Sequence, residues 1–248
     1  TLPPDIIQTH ALMSLPLAYK EMHTPSSETM LAAAKRRFAF EELFVVMAAA
    51  EQMRQMSKRA QAHPIVFDER IAKQFVAELP FAMTDDQRAA SWKILQDMQS
   101  DDPMNRLLEG DVGSGKTLVA AMASLMALEN GMQVAFIAPT EILAKQHYAT
   151  LKKILSYTKH SKDIALLVGS LKKSEKQKLK DSIARKQATL LVGTHALLEE
   201  DIDWHTLGLV IIDEQHRFGV KQRQKLQTKT NFMPHVLCMT ATPIPRSL

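Results

Sequence analysis

Residues 107–117 read LLEGDVGSGKT, a run whose residue types and spacing suit the capture of a phosphate chain. Gly110, Asp111, Val112, Gly113, Ser114, Gly115, Lys116 and Thr117 fit the pattern G-x-x-x-x-G-K-[ST], in which successive backbone N–H groups wrap phosphate oxygens. Glycine permits positive φ and close backbone approach, Lys116 brings a point charge to the β and γ phosphates, and the Thr117 hydroxyl can ligate Mg2+. The flanks agree with this. Residues 104–108 read as a short strand, and 116–129, KTLVAAMASLMALE, read as a helix whose N-terminus faces the anion.

A P-loop needs acids across the phosphates from it, and the chain supplies a pair. The apolar strand LVII at 209–212 runs straight into Asp213, Glu214, Gln215 and His216. Asp213 would hold Mg2+ through water, and Glu214 would orient and deprotonate the attacking water. A later strand at 236–239 ends in Thr240, Ala241 and Thr242, whose two hydroxyls can bridge the carboxylates to another surface, a coupling role.

Other candidates each carry two readings. Thr84 and Gln87 have the spacing of a capping box for a helix over 85–98; alternatively the Gln87 amide, one donor edge and one acceptor edge, reads adenine just upstream of the P-loop. Thr140, in PTEILAKQH after a strand at 133–138, is an N-cap or a phosphate contact to nucleic acid. His195, after a strand at 189–192, is a phosphate contact or a cap; with no Cys or His cluster around it, it does not read as a metal ligand. Lys172, Lys173, Lys176, Lys178 and Lys180 form a solvated face or a phosphate-binding one.

The elements that must position these residues alternate strand, helix, strand from residue 104 onward. This predicts an α/β fold, a P-loop NTPase domain with a parallel sheet and helices on both faces. Upstream, residues 1–27 are mixed and punctuated by prolines. A helix over 28–62 follows, its face formed by Leu31, Phe38, Leu43, Phe44, Met47, Met53 and Met56, with Lys35, Arg36, Arg37, Arg54, Lys58 and Arg59 on a solvated face rather than a DNA-binding one. A shorter helix spans 67–79 and is closed by Pro80. The domain boundary falls after residue 64, giving a helical segment 1–64 and an ATP-binding domain 65–248.

Composition bounds the class. With 248 residues, 46% hydrophobic and 23% charged, the chain can bury a large core, and it has no apolar run long enough to span a bilayer. A lone Cys238 excludes an internal disulfide framework and reads as a buried apolar residue, so a reducing cytoplasm is the expected setting. The net charge of +4 permits nucleic-acid binding without requiring it. The first residue is Thr and the last falls in what reads as mid-element, as in a piece excised from a longer protein.

GDVGSGKT, PTEILA, VGTHALL, DEQHRFGVKQR and MTATPIPR, in this order, resemble the successive motifs of superfamily two helicases, in their first RecA-like motor domain. Within that superfamily the likeness is to bacterial DNA helicases that remodel stalled forks and branch-migrate Holliday junctions in recombination and repair. Their connector between wedge and motor is similar to residues 5–44, with LMSLPLAYKEMH and RRFAFEELF. The transcription-repair coupling translocases would be expected to read DEEHRFGV, and Gln215 argues against them.

What the resemblance implies is ATP and Mg2+ as cofactors, branched or forked DNA as partner, and a monomer working in the bacterial cytoplasm at the nucleoid. It gives Lys116 and Thr117 to phosphate and metal, Asp213 and Glu214 to metal and water, Gln87 to adenine, Gln215, His216, Thr240 and Thr242 to coupling, and Thr140, Gly169 and Thr194 to the DNA backbone. The wedge and the second motor domain of such proteins are not in this sequence. By resemblance the arginine finger belongs to that second domain; Arg217 and Arg246 here are not placed to serve.

Overall fold

The structure is a computed structural model and describes residues 2–58, 61–187, 189–194, 197, 202–214 and 232–241, the side chains of 50 and 53–58 excepted. The chain divides into two compact units, Thr1–Arg59 and Ala60–Leu248.

The first unit is helical. Where the sequence reads as irregular, two short helices form, α1 (Pro4–Thr9) and α2 (Leu15–His23), each with a proline in its first two positions. A proline there gives up an N–H that has no helical partner and supplies a helical φ, so the residues that read as punctuation start helices instead. The long helix α3 (Glu28–Lys58) departs from the expected stripe. Leu43 and Met47 are exposed, so they are not core within this unit, whereas Arg37, expected to be solvated, is fully buried with Nη1 2.7 Å from Glu41 Oε2. Met53 and Met56 lie outside the described side chains.

The second unit starts with a short extended segment. Ala62 N–H donates to the Asp101 carbonyl (2.7 Å) and Ile65 N–H to that of Met98 (2.7 Å), which ties 61–65 to the end of helix α5 (Asp85–Met98). The preceding helix α4 (Glu69–Ala77) starts where the Asp68 carboxylate accepts the N–H groups of Arg70 and Ile71. Then come β1 (Asn105–Glu109), α6 (Lys116–Glu129), β2 (Gln133–Ile137), α7 (Glu141–Ile154), β3 (Ile164–Leu167), α8 (Lys173–Ala184), β4 (Leu190–Gly193), β5 (Leu207–Asp213) and β6 (His235–Thr240).

All of these strands pair in parallel, in the order β1-β6-β5-β2-β4-β3. Parallel strands covered on both faces read as continuous apolar runs, and every residue of β2, β4 and β6 is buried. One core gathers α4, α5, α6 and one sheet face, and a second gathers Ile183, Leu197, Ile202 and Trp204 against the other. Cys238 is free and buried in the second, as expected. Helix α6 is buried from Leu118 to Leu128 on all sides; its alanines let neighbours approach. Its C-cap Asn130 then imitates a strand edge, accepting the Val66 N–H at 3.0 Å and donating to the Val66 carbonyl at 2.9 Å. Among the described residues no helix is long and apolar enough to cross a membrane.

The entrance to β6 is pinned by a buried imidazole. His235 Nδ1 accepts the Met104 N–H at 3.0 Å, so its Nε2 carries the proton and donates to the His63 carbonyl at 3.0 Å. Burial pushes its pKa below the ordinary 6.5. The unfolded chain then binds more protons than the folded one just below that ordinary value, so stability is full above it and falls as pH drops toward the depressed folded value. His160, also shifted down by burial, adds in the same direction. Urea melts between pH 8 and 5 should show this loss. His235→Leu should destabilise by roughly 2 to 4 kcal/mol at pH 8, from two buried backbone groups left unpaired, and should flatten the acid slope.

Candidate functional site

In a parallel sheet every strand delivers its last residue to one edge, and the P-loop, Thr140, Gly169, Thr194, Asp213 and Thr240 lie along it. The P-loop leaves β1 and enters α6. Gly113 (φ +85°) and Gly115 (φ +83°) both adopt the left-handed backbone that only glycine takes without strain, and Gly115 caps α6. Lys116, the first helical residue, folds back so that Nζ donates to the carbonyls of Gly110 and Asp111 (2.9 Å to the latter). Val112 at the loop tip is 90% exposed.

Gln87 serves the capping box and more. Its N–H donates to Thr84 Oγ1 (3.2 Å), its Oε1 accepts the Thr84 N–H (3.0 Å), and its Nε2 donates to the Ser114 carbonyl (2.9 Å). The amide is thereby spread between a helix start and the P-loop. A Cβ on Gly115 would lie 2.4 Å from Nε2, so only glycine lets the tether form.

Strand β6 joins the loop to the acids. Its ladder with β1 sets Glu109 opposite Thr240, its ladder with β5 sets Met239 opposite Asp213, and the Gly110 N–H donates to the Thr240 carbonyl at 3.3 Å. Thr240 is buried. Asp213 ends β5, and Glu214 turns out of the strand at φ +59°, a conformation of order 1–3 kcal/mol above the ordinary ones, with its N–H donating to the Met239 carbonyl at 3.0 Å. Gln215, His216, Thr242 and His195, with Arg217 and Arg246, lie outside the described residues.

The remaining candidates occupy the other half of the edge. Thr140 caps α7, its hydroxyl accepting the Leu143 N–H at 3.3 Å, so the N-cap reading is satisfied. Thr194 follows β4, and Gly169 follows β3 after one residue. On α8, Lys173 and Lys178 are exposed, whereas Lys176 and Lys180 are half-buried.

Two residues with a place in this arrangement carry no role in the sequence reading. Glu141, in the first turn of α7, accepts the Ser170 N–H on Oε1 at 3.1 Å. The Ser170 hydroxyl, and after it the backbone of Ser170 and Gly169, hold its carboxyl below the ordinary value. His147 Nε2 lies 2.7 Å from Asp213 Oδ2, with both side chains largely buried. Its signal was positional: with Ala144 and Leu151, both fully buried, it follows the i, i+3, i+7 stripe that faces the core.

As a donor set, the Thr117 hydroxyl and the Asp213 carboxylate are hard oxygens of the kind that hold Mg2+, directly or through its water shell, alongside phosphate oxygens. The glycine-lined loop at a helix N-terminus suits the phosphates themselves.

Comparison with known proteins agrees with the fold. Residues 84–248 match the DEAD/DEAH box helicase family, and the chain belongs to it. Members of that family bind nucleotide. The chain is 46% identical over 248 residues to the ATP-dependent DNA helicase RecG of Thermotoga maritima, covering all of this chain and 31% of that protein. It is 45% identical over 250 residues to RecG of Streptococcus pneumoniae, covering all of this chain and 36% of that one. A solved structure of RecG bound to a three-way DNA junction superposes with a TM-score of 0.89 at 42% identity, covering 99% of this chain and 33% of that one. The chain thus spans about a third of the length of these relatives.

The two uses of Gln87 separate by substitution. Gln87→Glu keeps an acceptor for the Thr84 N–H but sets a carboxylate against the Ser114 carbonyl. It should melt close to the native protein while binding fluorescent ATP more weakly. Gln87→Ala should lose the cap as well, about 1 kcal/mol. A loss of preference for ATP over GTP in either variant would assign the amide to adenine; equal losses for both nucleotides would confine it to the cap and tether.

Proposed function

We propose that this chain is the ATP-binding half of the motor of an ATP-dependent DNA helicase of the RecG kind, acting on branched or forked DNA in recombination and repair. The observation that carries the reading is the common strand edge, where β6 sets the end of the P-loop strand beside the end of the Asp213 strand. On this reading residues 65–248 are the motor domain, and 1–64 are a helical connector to a wedge domain. The protein works in the bacterial cytoplasm at the nucleoid as a monomer, and a second motor domain of the same protein closes over the nucleotide.

Roles follow from chemistry. Gly110, Asp111, Val112, Gly113, Ser114 and Gly115 turn backbone N–H groups toward the β and γ phosphates. Lys116 leaves its resting carbonyl partners for those phosphates, exchanging neutral acceptors for charged ones. Thr117 and Asp213 would hold Mg2+, whose chemistry here is to neutralise charge on the phosphate oxygens. Glu214 orients the attacking water and takes its proton. Gln215, His216, Thr240 and Thr242 couple this site to DNA, whose backbone is met by Thr140, Gly169 and Thr194. Contacts of that kind carry no base information and suit a motor that must move regardless of sequence.

The decisive experiment is ATP hydrolysis and branch migration by the full-length protein on forked and three-way DNA. Lys116→Ala should weaken nucleotide binding by an order of magnitude or more, from a charge-assisted contact of about 1.5–3 kcal/mol. Asp213→Asn and Glu214→Gln should lower DNA-stimulated turnover by about 100-fold or more while nucleotide still binds. The 1–248 chain alone should hydrolyse ATP at a small fraction of the full-length rate, with little response to DNA, because an arginine finger supplies about 10³–10⁵ of such rates. Binding of ATP and DNA with no turnover in the full-length protein would reduce the chain to a binding module.

A further inference from the structure

The Asp213 carboxylate has two oxygens, and one of them is held by a residue from a different element. His147 Nε2 is 2.7 Å from Oδ2, and because an ionised carboxylate only accepts, the imidazole donates. The ring is itself fixed. It packs tilted against Phe136 of β2, with centroids 4.7 Å apart and planes at 43°, and its side chain is 13% exposed. Phe136 is wholly buried, so the ring rests against the packed core of the sheet. Helix α7 sets the position along the chain, with Ala144 one turn before and Leu151 one turn after, both fully buried. A donor held on three sides in this way fixes the rotation of the carboxylate that it meets.

We propose that His147 is a positioning residue for Asp213: by occupying Oδ2 it aims Oδ1 at the hydrated metal of a bound nucleotide. The inference rests on Asp213 being a metal-side carboxylate, and it assigns to α7 a part in the nucleotide half of the edge. A second consequence is geometric. Thr140 caps the same helix, and seven residues of helix rise by about 10 Å. One rigid rod therefore joins a residue proposed to meet DNA with the partner of the residue proposed to meet metal.

A packing role alone makes a different prediction, and His147→Phe separates the two. The phenyl ring keeps the ring contact with Phe136 and removes the donor; His147→Gln returns a donor without the ring. The readout is Mn2+ binding to the full-length protein saturated with a non-hydrolysable ATP analogue, followed by electron paramagnetic resonance with no turnover. Outer partners of metal ligands typically carry 10- to 100-fold in metal affinity. His147→Phe should weaken Mn2+ by about tenfold or more, His147→Gln should recover most of it, and affinity for the analogue in EDTA should stay within about twofold of native. In native protein labelled with ¹⁵N-histidine, the His147 ring signal should shift when Mg2+ is added to the analogue complex, which tests the contact whether or not the variants fold.

Native Mn2+ affinity in His147→Phe, a Gln variant no better than Phe, or a ring signal unmoved by Mg2+ would overturn the proposal. Asp213→Asn is the reference. If it too leaves Mn2+ affinity unchanged, the metal assignment of Asp213 fails and the inference with it; if it weakens Mn2+ while His147→Phe does not, only the positioning role fails.

Discussion

The paired ladders of β6 are the constraint on which the site depends. β1 delivers the P-loop and β5 delivers Asp213 and Glu214, yet these two strands never touch; β6 lies between them and sets the register of both. It is also the last of the described strands, so the nucleotide site closes only when a segment from residue 235 onward inserts beside residues 105–109. Contacts so distant in sequence form against the full loop-closure entropy, and they need strong burial to hold. All six side chains of β6 are buried, and His235 anchors its start by bonding backbone on two sides. The buried histidine thus belongs to the stability of the site as much as to that of the sheet.

Strand order sorts the candidates by chemistry. Running along β1, β6 and β5, the edge offers the P-loop, Thr240 and the two acids; running along β2, β4 and β3, it offers Thr140, Thr194 and Gly169. The chain visits the halves out of order, because β1 leads by way of α6 to β2, past the two places that β5 and β6 later fill. In open α/β sheets the crevice at such a reversal is where ligands bind. At this edge a side chain reaches across the division where His147, from the helix after β2, meets Asp213 at the end of β5. Within the second half, Glu141 fastens the turn after β3 to the start of α7, so two of the loops there are held together before any ligand arrives.

Much of this was legible in the sequence because the signals were local. Helices α5 and α6 have the predicted ends, since a capping box and a glycine-lysine step mark them, and the buried strands announce themselves as apolar runs. The boundaries that slipped have physical reasons. Pro4 and Pro16 read as punctuation but sit where a helix tolerates proline, and α3 exposes Leu43 and Met47 while burying Arg37, because apolar spacing records only which residues could share a face. His147 could not be found by motif: a histidine on a core-facing stripe is most often packing, and only the fold brings it to an acid 66 residues away. Gln87 was legible as either of two things, and its third contact, with the Ser114 carbonyl, needed the helix and the loop in three dimensions.

The strain at Glu214 fits the same scheme. A non-glycine residue at φ +59° persists only where its surroundings outweigh the cost, and here its N–H extends the β5–β6 ladder by one more bond, to the Met239 carbonyl. The ladder that sets Asp213 in register therefore also forces the next residue out of the strand. Two adjacent acids in a regular strand would point to opposite faces of the sheet, and a left-handed residue directly after Asp213 breaks that alternation at the point where both are wanted on the nucleotide side. The same hydrogen-bond row thus fixes the acid proposed for metal and bends away the acid proposed for water. A change that loosened β6 would disturb both together, and with them the Gly110 end of the P-loop, whose N–H bonds Thr240; the Gly115 end and its tether to Gln87 are set by α5 and α6.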